Sequence, residues 1–107
     1  MRRGDLYLVR RPAGDARKQR VFVIVSRQTI IDSRFSTVVC APVYSRRDGL
    51  ATQINIGTNE GLKHDSSVHC DALISIPKSA LTDYVGCLAT ATMDLLQTAL
   101  RIALAVE

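Results

Sequence analysis

Tryptophan is absent from this chain, and only five of its residues are aromatic. Any core must therefore be built from Val, Ile, Leu and Ala. An aromatic-lined groove of the kind peptide-binding modules use has few residues to draw on. Cysteine is scarce: Cys40, Cys70 and Cys87 are odd in number, widely spaced and form no C-x-x-C unit. A zinc site needs about four converging ligands, and His64 and His69 stand at no finger-like spacing from the thiols. No metal or cofactor is expected, and the thiols should be reduced and partly buried. Nothing approaches the roughly 18 consecutive apolar residues of a membrane span. The opening Met1-Arg2-Arg3-Gly4-Asp5 carries charge with no apolar stretch behind it. No secretory leader is expected on that pattern, and the cytoplasm is the expected compartment.

What is present is a chain of 107 residues, 47% of them hydrophobic, which suits one domain over residues 1–107. The net charge is +4, but its distribution says more than its sum. Residues 1–47 carry eleven Arg or Lys against three Asp, whereas residues 48–107 carry three against seven acids. A basic half on a small domain is the electrostatic footprint of a polyanion partner.

The pattern reads as short strands followed by one helix. Leu6–Val9 begins a strand and residues 10–19 form a polar loop with Pro12 and Gly14. Val21–Val25 and Thr37–Val43 are continuous β-prone runs of the buried kind, with Pro42 near the end of the second, where a missing N–H is tolerable. Between them Arg27–Phe35 is polar, with Ile30 and Ile31 as anchors. After an Arg46–Gly49 turn, Thr52–Ile56 alternates as a half-exposed strand does. Gly57–Lys63 is a loop, Ser67–Ile76 holds one or two short strands, and Tyr84–Leu88 adds another. From Thr90, placed to cap, the period becomes helical: Met93, Leu96, Leu100, Ala103 and Leu104 share one face over roughly four turns. These elements predict a mainly β chain with a C-terminal α-helix, a small barrel or open sheet that is mostly antiparallel.

Four stretches together resemble the MazF/PemK toxins of bacterial type II toxin–antitoxin systems. They are Arg3-Gly4-Asp5-Leu6-Tyr7-Leu8-Val9, Gln19-Arg20-Val21-Phe22-Val23-Ile24-Val25-Ser26, Val39-Cys40-Ala41-Pro42-Val43-Tyr44-Ser45 and Gly61-Leu62-Lys63-His64-Asp65-Ser66-Ser67-Val68. Their order and spacing match across nearly the whole chain. The resemblance implies an SH3-like small β-barrel of the MazF/CcdB type. It also implies a homodimer, a cognate antitoxin as partner, and metal-independent cleavage of single-stranded RNA by its own 2′-OH. The middle of the chain is similar to the fold relative CcdB, a gyrase poison, at Arg20-Val21-Phe22-Val23 and Ile30-Ile31-Asp32. The Trp-Gly-Ile terminus that carries CcdB's function has no counterpart in Ala103-Leu104-Ala105-Val106-Glu107. A gyrase poison or a catalytically inactive nucleic-acid-binding relative is the alternative reading, and a protein-interaction module a third.

Such cleavage needs a base for the 2′-OH, a cation for the phosphorane and an acid for the leaving 5′-oxygen. Arg20 occupies the family's catalytic arginine position, and its guanidinium can fork two hydrogen bonds to phosphate. Val21 stands where the family carries Pro. The catalytic Thr maps to Tyr44, with Ser45 next to it, and the sequence leaves open which hydroxyl serves. His69 and Asp71, in His69-Cys70-Asp71-Ala72, resemble the Arg and Asp of an R-C-D-Q motif. On a strand they would share a face, with the carboxylate orienting the imidazole as a proton shuttle. Asp15 aligns with an acid implied to position Arg20. Arg10, Arg11, Arg17, Lys18, Arg46, Arg47 and, beside them, Gln53 are implied to wall an RNA groove. Asp65 reads as a turn former, and His64 has no motif support and reads as surface.

Overall fold

The computed structural model describes residues 1–10 and 19–106. Three antiparallel strands make its centre: β1 (Asp5–Val9), β2 (Arg20–Ile24) and β3 (Thr37–Tyr44). Their register places Leu6, Val23 and Ala41 on one face and Tyr7, Ile24 and Cys40 on the other. Both faces are covered, which is why these strands read as unbroken apolar runs rather than alternating ones. A short helix α1 (Gln28–Ile31) and the turn at Lys78–Ala80 cover the second face through Ile30, Ile31, Ala80 and Leu81. The anchoring expected of Ile30 and Ile31 is thus observed, Ile31 being the more deeply buried.

The first face is covered by α2 (Thr90–Leu104), whose Leu96 and Ala99 are buried against Leu6, Val23 and Ala41. Met93, Leu100 and Ala103 pack at its margin, while Leu104, expected on the same stripe, is 57% exposed. The helix has outrun the sheet by that turn. Thr90 does not cap: Ala89 holds the N-cap position without a side-chain bond, and Thr90 is already the first helical residue.

The remaining strands are β4 (Gln53–Ile56), β5 (Ser66–His69), β6 (Ile74–Pro77) and β7 (Asp83–Cys87). The sheet runs β4-β5-β3-β2-β1-β7, with β6 also pairing to β3, and it curls into a half-barrel. The curl arises because β3 changes partner along one edge. Thr37–Cys40 pairs with β6, and Val43–Tyr44 pairs with β5. Pro42 sits at the change. The carbonyls of Val39 and Val43 are accepting bonds from the β2 side, so Pro42, one residue out of phase, turns its donorless nitrogen to the unpaired gap. Cys40 and Cys70 are buried free thiols and Cys87 is an exposed one. No helix among the described residues is long and apolar enough to cross a membrane.

Candidate active site

The strand ends leave an open cavity of about 500 Å3 at one mouth of the half-barrel. Leu8, Val21, Val43, Leu62 and Val85 give it an apolar floor, and Arg20, Ser45, Lys63, His64 and Ser66 a polar rim. No carboxylate lines it among the described residues. The wall formed by Gly61–His64 is seated by two glycines. Gly61 has φ +97°, and a Cβ there would collide with the Val85 carbonyl, just as one on Gly86 would collide with that of Glu60. Only glycine at both positions lets this loop lie directly on β7.

Arg20 reaches the mouth as the first residue of β2. Phe22 pairs with Pro42, so the same register carried two residues further sets Arg20 opposite Tyr44. Its guanidinium carbon lies 4.1 Å from the centre of the Tyr44 ring, and Nη1 donates to the Val43 carbonyl at 3.4 Å. Beneath Tyr44, β5 supplies the support. Tyr44 pairs with Ser67, which makes His69 its diagonal neighbour, and the two rings meet edge to face at 4.7 Å and 69°. The result is a column of guanidinium, phenol ring and imidazole.

The imidazole is fixed from both nitrogens. Nε2 lies 2.8 Å from Ser67 Oγ and 3.2 Å from the Arg46 carbonyl, which can only accept. Nε2 therefore carries the proton, Ser67 Oγ itself donating to the same carbonyl at 2.7 Å. Nδ1 faces the Gln53 amide nitrogen at 3.4 Å. That amide is oriented by Asp48, whose N–H donates to Gln53 Oε1 at 2.9 Å and whose carboxylate accepts from Nε2 at 3.0 Å. The bond from Gln53, helped by the Arg46 guanidinium, holds the Asp48 carboxyl below the usual carboxylate range. His69 is only 7% exposed. It is a strut under Tyr44, walled off from the cavity.

The pairing of His69 with Asp71 on one strand face does not form. β5 ends at His69, and Cys70–Ala72 turns as a 3-10 helix, so the two-residue alternation stops before Asp71. The carboxylate accepts instead from Thr52 Oγ1 at 2.5 Å. A continued strand would turn Tyr44 and Ser45 to opposite faces, yet both line the cavity, because β3 ends at Tyr44. Among the basic residues, Arg10 pairs with Asp83 at 2.7 Å and Arg46 with Asp48 at 3.1 Å, both on the surface. Arg47 is a brace: Nε donates to the Ser66 carbonyl at 3.1 Å and Nη2 to that of Ile56 at 3.0 Å, clasping β5 to β4. Gln53 belongs to the His69 network. Arg11, Asp15, Arg17 and Lys18 lie outside the described residues. Lys63 and Gln19, given no role in the sequence reading, line the cavity, and so does His64, which reads there as plain surface. The signal was the Gly61-Leu62-Lys63-His64 segment itself, but nothing local told which way its loop would fold.

A curled, mainly β sheet with a C-terminal helix and a cationic mouth defines the class. The family model for the PemK-like, MazF-like toxin of type II toxin-antitoxin system matches residues 2–104, and the chain belongs to that family. An endoribonuclease in complex with its cognate antitoxin, from a mycobacterial species, is similar in structure at TM-score 0.85 and 26% identity, over 100% of this chain and 97% of that one. The Mycobacterium tuberculosis toxin MazF-mt6 matches at TM-score 0.83 and 24% identity, over 96% and 98%. MazE–MazF from Deinococcus radiodurans matches in fold at TM-score 0.76 and 15% identity, over 100% and 97%.

Proposed function

We propose that this chain is an endoribonuclease toxin that cleaves single-stranded RNA without a metal and is neutralised by a cognate antitoxin. The observation that carries the chemistry is the stacked Arg20. Stacking on Tyr44 occupies the face of the guanidinium, Nη1 donates to the Val43 carbonyl, and the N–H edge is the part that phosphate oxygens would meet. A cation so fixed, in a mouth whose described lining holds no carboxylate, suits the charge that develops on a phosphorane. The 2′-oxygen attacks phosphorus, the bond to the 5′-oxygen breaks, and a cyclic phosphate and a 5′-hydroxyl result. Ser45, exposed at the rim, supplies the short hydroxyl to a phosphate oxygen, and Tyr44 serves Arg20 as platform. His69 holds that platform, and Asp71 anchors the turn behind it.

The chain acts as a homodimer in this reading. Phe35, Leu104 and Val106 are 61%, 57% and 58% exposed, and grooves lined by Leu73, Leu100 and Val25 run beside them. Val25 follows the last residue of β2 and Arg20 is the first, so this apolar face lies at the end remote from the cavity. Pairing there leaves the mouth open to RNA.

Purified protein incubated with a long RNA in excess EDTA tests the reading. RNA should be cut and DNA of the same sequence spared, since DNA lacks the 2′-OH. Activity that disappears in EDTA and returns with magnesium would overturn the metal-free mechanism. One observation favours a second reading, an RNA binder without cleavage: the Tyr44 ring, clasped between Arg20 and His69, cannot place a hydroxyl where threonine would. RNA bound and left intact would decide for it.

A further inference from the structure

We infer that His64 is the proton-accepting group of this site, an inference that rests on the endoribonuclease reading. The reaction needs a group that takes a proton near neutrality beside the phosphate-binding arginine. His69, the histidine with motif support, is buried with both ring nitrogens hydrogen-bonded inside the protein, so it reaches no substrate. Asp71 is held by Thr52, away from the cavity. Asp65, next in sequence to His64, faces Arg47 at 3.9 Å. The titratable side chains that do line the cavity, among the described residues, are Arg20, Tyr44, Lys63 and His64. Arginine stays charged, and Tyr and Lys ordinarily hold their protons far above neutral pH. Histidine alone of these types accepts a proton readily near pH 7.

The wall that carries His64 is built rather than loose. Gly61 and Gly86 seat it on β7, and Ser66 Oγ donates to the His64 carbonyl at 3.1 Å. The side chain is exposed, and it lines the same cavity as Tyr44 and Ser45 at the end of β3. In the step, the imidazole takes the 2′-OH proton as the bond from O2′ to phosphorus forms. The bond from phosphorus to O5′ breaks, O5′ takes a proton from water, and the imidazolium returns its proton to the hydroxide so made. Lys63, beside it, adds positive charge for the phosphate.

The test is single-turnover cleavage of a long mixed-sequence RNA in EDTA, across about pH 5 to 9, by the wild type, His64→Ala and His64→Gln. Both variants should fold, because the side chain is exposed, and a thermal melt checks this. Cleavage should fall by about 10²- to 10⁴-fold, the usual weight of a general base. A rising limb of the wild-type pH profile should vanish with the variant, and added imidazole should restore part of the rate to His64→Ala. Folded His64→Ala that cuts at the wild-type rate with the wild-type profile overturns the inference and leaves the endoribonuclease reading standing. A wild type that cuts no RNA overturns both.

Discussion

Replacing Tyr44 separates a ring that holds from a hydroxyl that reacts. In the structure its ring meets Arg20 at 4.1 Å on one side and His69 at 4.7 Å on another. Tyr44→Phe keeps both contacts and removes only the phenol oxygen. Cleavage should stay within about threefold of wild type, because a cation–π contact depends on the ring. Tyr44→Leu removes the ring. A guanidinium stacked at a half-exposed site gains about 0.5–2 kcal/mol. If that energy serves to hold Arg20 ready, cleavage should fall by about 2- to 30-fold, at 1.36 kcal/mol per factor of ten. Arg20→Ala should fall further, by at least about 10²-fold, as for the loss of a preorganised transition-state donor. The assay is single-turnover cleavage of one RNA in EDTA, with binding of an uncleavable analogue measured beside it. Tyr44→Phe as inactive as Arg20→Ala would refute the platform and make the phenol itself a reacting group.

Arg46 and Arg47, adjacent in sequence, should part company: Arg46→Ala should flatten the salt dependence of RNA binding by up to about 0.7 in log–log slope. Arg47→Ala should lower the melting temperature instead, through loss of about 1–3 kcal/mol from bonds to the Ser66 and Ile56 carbonyls. Burial pushes the Cys40 thiol up to about 12 and, with the Asp71 charge assisting, the Cys70 thiol up to about 11. A thiol reagent at about pH 8 should therefore label Cys87 alone in the folded protein, counted by intact mass. The same shifts set a sign: above the ordinary thiol value of 9.0 the unfolded chain gives up protons that the fold retains, so stability should fall as pH rises from there. Light scattering should give about twice 11.7 kDa for the native protein, and Leu104→Glu or Phe35→Glu should shift it to the monomer.

The central strands and the terminal helix were legible because their signal is local: β-branched runs for β2 and β3, helical period for α2. Arg20 was legible too, through the segment it opens. What the sequence could not carry was the phase of short elements at their ends. One residue decides whether Asp71 continues a strand beside His69 or enters a turn, and a four-residue strand has no periodicity long enough to say. The same holds for Ser45, which faces the cavity only because β3 stops before it. Arg47 reads from the sequence as one more groove cation among many. Its role needs Ser66 and Ile56 brought to it from the β4–β5 pair, a contact between elements that no window along the chain contains.

The basic half of the chain takes on a more definite meaning once its partners are known. Arg3 is held by the Val25 carbonyl, Arg20 by that of Val43 and Arg47 by those of Ser66 and Ile56. A carbonyl oxygen satisfies a guanidinium without cancelling its charge, so these bonds fix positive charge in place and leave its field intact. Among the described residues, carboxylate partners, which would cancel it, meet Arg10, Arg46 and, at 3.9 Å, Arg47, at positions where water and salt already weaken such pairs. At Arg20 the neutral partners are a carbonyl and a ring, and the cavity beside it has no described carboxylate. A polyanion arriving there would meet a cation already oriented, so little of its binding energy would be lost in reorganising the site. A charge held on a rigid mount is what distinguishes this mouth from a merely basic surface.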